Sequence, residues 1–151
     1  MNDQEMILEQ YKLYVEMADR ISSRRAQTNK FYIGILSGIL ALLSVLIEKD
    51  LLTNHQAPVF LAVSLLGIGL NILWYVNIRS YRQLNTGKFK VIHEMEQHLP
   101  FHCYDREWQL LGEGAEKGKY LQLTRVEPFL PFILAIPYVL LLVYSSATWI
   151  K

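Results

Sequence analysis

The chain has almost no cysteine and none of the clustered motifs that hold a metal or a nucleotide. Its 151 residues include a single cysteine, Cys103, so no internal disulfide can form. There is no zinc-type or Walker-type spacing of ligand residues. The one cluster of ligand types, His98, His102 and Cys103, is interrupted by Pro100 and lacks a fourth ligand. We therefore expect no metal, no cofactor and no catalytic site, and predict that the chain is not an enzyme.

Net charge is also small, and charge is missing from three long runs. Fifteen Lys and Arg oppose fourteen Asp and Glu, which argues against a nucleic-acid partner because such a partner normally requires a clustered basic excess. Residues 31–47, 58–78 and 128–150 carry no charge. Each run is long enough for a helix to cross a hydrocarbon core about 30 Å thick. The sequence predicts an all-α membrane protein with three transmembrane helices in a single membrane domain, residues 1–151.

The first thirty residues are amphipathic, and nothing interrupts them before the first span. No proline or glycine occurs before Gly34, so we expect one continuous helix from about Asp3 to about Glu48. Its first part, residues 1–30, is a predicted stalk on the cytoplasmic side. The apolar stripe of this stalk needs a partner, which is either segment 79–126 of the same chain or the stalk of another subunit. The residues of the stripe are Leu8, Tyr11, Tyr14, Val15, Ala18 and Ile21.

Segment 79–126, between the second and third spans, is predicted to be helical and cytoplasmic. Its first helix either continues the second span or lies on the membrane surface, and Leu99–Pro100 should end it. A short helix is expected from about Cys103 to Leu111, followed by a connection with glycines at 112, 114 and 118. In the third span, Pro137 should kink the helix.

Small residues share a face in the first span and again in the second. Such faces let helix backbones approach each other in lipid, so we predict that they form helix-packing or oligomer interfaces and expect the two faces to meet in an antiparallel hairpin. Asn71 carries an amide inside the second span, where it needs a partner. It either makes an interhelical hydrogen bond or lines a polar path. The small faces are Gly34, Ser37, Gly38, Ala41 and Ser44 in the first span, and Ser64, Gly67 and Asn71 in the second.

Basic residues precede the first span and predict the orientation of the chain. Arg20, Arg24, Arg25 and Lys30 form a collar that either anchors the helix by the positive-inside rule or binds anionic lipid. With a cytoplasmic N-terminus, thirteen Lys and Arg lie inside and only Lys49 and Lys151 lie outside. We therefore expect the N-terminus in the cytoplasm and the C-terminus in the periplasm or outside the cell.

Four stretches carry a resemblance to a known family. They are EQYKLYVEMADRISSRRAQTNKFY (Glu9–Tyr32), WYVNIRSYRQLNTGKFKVIHEMEQHLP (Trp74–Pro100), YDREW (Tyr104–Trp108) and VEPFLPF (Val126–Phe132). Over nearly its whole length the chain resembles the RipA family of octameric bacterial inner-membrane proteins. The resemblance implies a homo-octamer in the cytoplasmic membrane, and it implies no active residues. The chain is more loosely similar to two-span SLATT-type membrane effectors, from which its third span departs.

Three functions are consistent with these patterns. The first is a homo-oligomeric ring in the bacterial inner membrane that acts as a scaffold or pore, whose partners are other copies of itself and membrane lipids. The second is an effector or channel that permeabilises the membrane in response to a signal. The third is a small accessory subunit of another membrane complex, whose protein partner the sequence does not identify.

Overall fold

Helices account for all the regular structure in the parts of the chain described by the computed structural model, residues 3–52, 55–112 and 123–149. In chain order they are α1 (Asp3–Glu48), α2 (Gln56–Glu96), α3 (Cys103–Leu110), α4 (Leu123–Val126), a 3-10 turn (Glu127–Phe129) and α5 (Leu130–Trp149). Three of them, α1, α2 and the helical stretch that contains α5, are long and apolar enough to cross a membrane, each with an 18-residue stretch whose mean hydropathy is 2.1, 2.1 and 2.0, respectively. The predicted all-α membrane fold is confirmed.

Helix α1 has the predicted bounds. Asp3 and Glu5 lie in its first turn, where negative charge is favourable beside the unpaired N–H groups. At the other end, Asp50 takes a left-handed backbone conformation with φ of 56°. The N–H of Asp50 donates to Ile47 O, and the N–H of Leu51 donates to Leu46 O. These two bonds form a Schellman motif, which satisfies the last carbonyls and ends the helix without a glycine.

Helix α2 decides between the two alternatives left open for segment 79–126. It runs without interruption over 41 residues, so the second span continues directly into the following helix. It ends at Glu96, before Leu99–Pro100, as predicted. Helix α3 follows at Cys103–Leu110, and Gly112 takes a positive φ of 72° just after it. Gly114 and Gly118 lie outside the described residues.

The third span begins later than the uncharged run. Pro128 lies in the 3-10 turn Glu127–Phe129, and α5 begins at Leu130. Pro137 lies inside α5, where its missing N–H leaves the carbonyl of Ile133 without the usual helical donor. A kink at Pro137 stays a prediction.

Contacts divide the chain into two compact units. The first, which we call the stalk unit, consists of Met1–Ala26 and Arg79–Glu127. The second, the span unit, consists of Gln27–Ile78 and Pro128–Lys151. Helices α1 and α2 therefore contribute residues to both units. That residues 1–151 form a single membrane domain stays a prediction.

The core of the span unit is aromatic. Tyr32 and Trp74 stack with ring centroids 5.8 Å apart and planes 10° from parallel. The indole N–H of Trp74 donates to Asn29 Oδ1 at 2.8 Å, which joins α2 to α1. Trp74 is fully buried in the protein. Leu36, Ile78 and Tyr138 complete the buried cluster.

The stalk unit shows what covers the apolar stripe of the stalk. Ala18 and Ile21 of α1 are buried, as is Ile92 of α2. The ammonium of Lys88 lies 4.7 Å from the ring centroid of Tyr14, a cation–π contact between α2 and α1. Of the two partners left open for the stalk, segment 79–126 of the same chain therefore covers one side of it. Leu13 and Met17 stay exposed on another side.

Candidate functional site

The small-residue face of α1 is open. Gly34, Ser37, Gly38, Ala41 and Ser44 are all exposed. A Cβ added at Gly34 or Gly38 would meet no atom within 4 Å among the described residues. The buried residues of the same part of α1, Tyr32, Leu36 and Leu43, recur at helical spacing on the other side of the helix. The face therefore points away from the core of its own chain.

The small-residue face of α2 is closed by α5. Ser64, Gly67 and Asn71 are buried. A Cβ added at Gly67 would overlap the ring of Tyr138, so only glycine lets this ring lie against α2. The Tyr138 hydroxyl then donates to Leu36 O of α1 at 2.6 Å. One tyrosine of α5 thus contacts both other spans.

These two arrangements correct the expected hairpin, in which the small face of α1 would meet that of α2. An aromatic ring, and not a second helix backbone, takes the space that Gly67 provides. The face at Gly34 and Gly38 is consequently left without a partner among the described residues of its own chain.

Asn71 does not make the expected interhelical hydrogen bond. Its Nδ2 donates to Gly67 O of the same helix at 2.8 Å. Its Oδ1 is buried and has no hydrogen-bond partner within the described ranges. The residue is only 4% exposed, so in a single chain it lines no open polar path. Ser64 also bonds within α2, by donating to Leu61 O at 2.8 Å.

The basic collar divides into exposed and inward-facing residues. Arg24 and Lys30 are exposed, and Arg20 is exposed in an ion pair of 2.6 Å with Glu16. Arg25 differs, because its side chain is only 16% exposed and its Nε lies 3.5 Å from Glu127 Oε2. Arg20, Arg24 and Lys30 thus lie at the surface, while Arg25 lies against the protein.

Glu96 is a residue whose role the sequence did not reveal. Its charged side chain is only 1% exposed. Its carboxylate accepts hydrogen bonds from the Tyr11 hydroxyl at 2.9 Å and from the backbone N–H groups of Tyr104 at 2.9 Å and Asp105 at 3.3 Å.

These bonds have a local physical reason. The first N–H groups of a helix need acceptors, and His102, which precedes α3, makes no side-chain cap. Glu96 supplies the acceptor from the end of α2. One feature of the sequence indicates that Glu96 is buried: it follows Ile92 by four residues and therefore lies on the same apolar face of α2.

Two tyrosine hydroxyls near Glu96 have a raised pKa. Burial, reinforced by the hydrogen bond to Glu96, raises the pKa of Tyr11 well above its ordinary value. Burial, followed by the Asp19 carboxylate, also raises the pKa of Tyr104. Both phenols are therefore neutral at physiological pH, and the Tyr11 hydroxyl donates its hydrogen bond to Glu96.

The candidate metal ligands do not come together. Cys103 is an exposed free thiol. No group of three His, Cys, Asp or Glu residues in the described part of the chain is arranged to hold a metal ion.

Comparison with known proteins yields one family. The sequence model of the octameric membrane protein family matches residues 8–147, a stretch that contains the open face of α1, the closed face of α2, Glu96 and most of α5. No curated protein and no solved structure matches the chain significantly.

Proposed function

Because the chain belongs to the octameric membrane protein family, we propose that it acts as a homo-oligomeric ring in the bacterial inner membrane, as a scaffold or pore and not as an enzyme. The observation that carries this proposal is the open small-residue face of α1. Small residues favour helix association in lipid, where apolar surface alone gives no driving force.

The geometry of a ring defines what this face contacts. In a closed ring of more than two copies, each interface joins two different surfaces of the subunit. The face at Gly34 and Gly38 would therefore contact another surface of the next copy. The spans offer such surfaces, because α2 exposes Leu65, Ile72 and Val76 and α5 exposes an apolar face of its own.

The proposal also includes the orientation of the chain in the membrane and the contacts of the chain with lipid. The distribution of Lys and Arg supports a cytoplasmic N-terminus and a periplasmic C-terminus. In that orientation the exposed cations Arg20, Arg24 and Lys30 precede the first span on the cytoplasmic side, where they would contact anionic headgroups.

Leucine at Gly34 or Gly38 tests the interface. We expect Gly34→Leu and Gly38→Leu to shift the native mass of the purified protein from the ring to smaller species, because the added side chain holds the two backbones apart. Gly87→Leu is the matched control: Gly87 also lies inside a long helix and has no atom within 4 Å, but it belongs to the stalk unit. An unchanged mass in both span variants would remove this face from the interface.

A second candidate is a channel that opens on a signal. A cavity in the stalk unit favours it, because a soluble signal needs a site outside the membrane. Dye leakage from liposomes that contain the purified protein would distinguish a channel from a closed scaffold. A stoichiometric co-purifying protein would instead point to an accessory subunit.

A further inference from the structure

The stalk unit contains a cavity of about 570 Å³. This volume is within the range of small-molecule sites in proteins. Helix α2 lines one side, α3 lines the other, and Arg25 of α1 reaches it as well. The lining residues are Arg25, Arg82, Asn85, Thr86, Phe89, Lys90, His93, Tyr104, Glu107, Trp108 and Leu111.

The spacing of the lining residues shows that those of α2 lie on one face of α2 and those of α3 lie on one face of α3. On α2 they recur every three or four residues from Arg82 to His93. On α3 and its C-terminal cap they recur in the same way from Tyr104 to Leu111. Residues at this spacing lie one above another on a helix. The cavity is therefore a cleft between two facing helices.

The lining combines positive charge with aromatic rings. Arg25 is paired with Glu127, and the other two lining cations, Arg82 and Lys90, face a single lining carboxylate, Glu107, so the lining keeps an excess of positive charge. Phe89 and Tyr104 make an edge-to-face contact with centroids 5.4 Å apart and form one aromatic wall. The occupant that fits this lining is an anion with an apolar body.

Two of the lining residues each carry a buried polar atom that lacks a hydrogen bond. Asn85 Oδ1 and Arg25 Nε are buried without a hydrogen-bond partner among the described residues, although Arg25 lies near Glu127. Burying such atoms costs free energy.

The spacing of two cations along α2 suits a shared anionic group. Arg82 and Lys90 are eight residues apart on one face of α2, about 12 Å along the helix axis. Thr86 lies between them on the same face. Arginine and lysine side chains are long enough to reach a group held at Thr86 from both sides, and a phosphate offers enough oxygens for both.

We propose that this cavity binds a small phosphate ester, with its phosphate at Arg82 and Lys90 and its organic part against Phe89, Tyr104 and Trp108. Glu107 accepts a hydrogen bond from a hydroxyl of the organic part. The same chemistry is found in a soluble phosphate ester and in the glycerol phosphate of a lipid headgroup. The proposal does not depend on the ring, because every lining residue belongs to one chain.

Binding to the full-length protein in nanodiscs tests the proposal. In phosphatidylcholine nanodiscs, equilibrium dialysis would measure labelled adenosine monophosphate and glycerol 3-phosphate, with adenosine as the probe that lacks phosphate. Nanodiscs with and without phosphatidylglycerol form the lipid arm, read out by the lipid retained with the protein. If the ligand is a soluble phosphate ester, the labelled compounds bind in the dialysis experiment. If the ligand is a lipid headgroup, phosphatidylglycerol is retained with the protein.

Substitutions distinguish this cavity from general surface charge. We expect Arg82→Gln to weaken binding at least about tenfold, the effect of one charged hydrogen bond. Asn85→Asp should weaken it as well, because it places a carboxylate beside the phosphate. Arg106→Gln is the matched control, since Arg106 lies on α3 outside the cavity and donates to Gln109.

Three results would overturn the proposal. The first is no binding of any phosphate probe, soluble or lipid, at millimolar concentration. The second is binding that Arg82→Gln, Asn85→Asp and Arg106→Gln weaken equally. The third is a change of oligomer mass in Arg82→Gln without any ligand binding, which would assign the cleft to a contact between subunits.

Discussion

Glu96, at the end of α2, connects α2 to α1 and α3 in the stalk unit. Its buried carboxylate is shared by a tyrosine hydroxyl of α1 and two backbone N–H groups of α3. Hydrogen bonds to a charged group are stronger than neutral ones, and each donor would otherwise be left unpaired. A single side chain therefore joins three helices.

Replacing Glu96 should release α3. We expect Glu96→Ala to reduce stability by about 1–3 kcal/mol, because its donors lose their acceptor in a buried site. Hydrogen exchange of the α3 amides measures the effect where it arises, and thermal unfolding measures its size. Glu94→Ala is the control, since Glu94 is exposed two residues earlier on the same helix. Equal protection of α3 in both variants would contradict this role.

At the scale of the helix, the sequence predicted where the helices begin and end better than it predicted which helices contact each other. The bounds of α1 followed from an unbroken apolar stripe without proline or glycine before Gly34, and the end of α2 followed from Leu99–Pro100. Periodicity identifies which residues share a face but not which helix covers that face. The contact of Tyr138 with Gly67 was therefore missed, because it joins residues far apart in the chain.

The candidate site was predicted in part, for the same reason. The small face of α1 was recognised from spacing alone, and the structure adds that no part of the chain described here covers it. The burial of Glu96 and the faces that line the cleft depend on how α3 packs against α2. An eight-residue helix with four charged or amide side chains gives no sequence signal for that packing.

The variants Gly67→Ala and Gly69→Ala form a matched pair that tests the contact between α2 and Tyr138 of α5. Both substitutions bring the same gain in helix propensity, but only the Cβ at position 67 meets a ring. We expect Gly67→Ala to reduce stability by about 1–3 kcal/mol, the usual cost of overpacking, while Gly69→Ala leaves it unchanged or slightly raised. Unfolding in mixed detergent micelles measures both. Equal stability of the two variants would show that Tyr138 does not lie against Gly67.

At the scale of the whole molecule, the proposed orientation places Cys103 in the cytoplasm. The thiol is exposed, so a membrane-impermeant maleimide reaches it only from its own side of the membrane. We expect no labelling in intact cells and full labelling after permeabilisation. A Cys103→Ser, Lys49→Cys variant is the control and should label in intact cells. The opposite pattern would reverse the topology.

The native mass of the purified protein in nanodiscs tests whether the chain forms a ring, which both the scaffold and the pore require. We expect a single species at eight times the 17.6 kDa of one chain. A monomer or dimer as the only species, under conditions that preserve the helices, would contradict the ring and leave the open face of α1 to lipid.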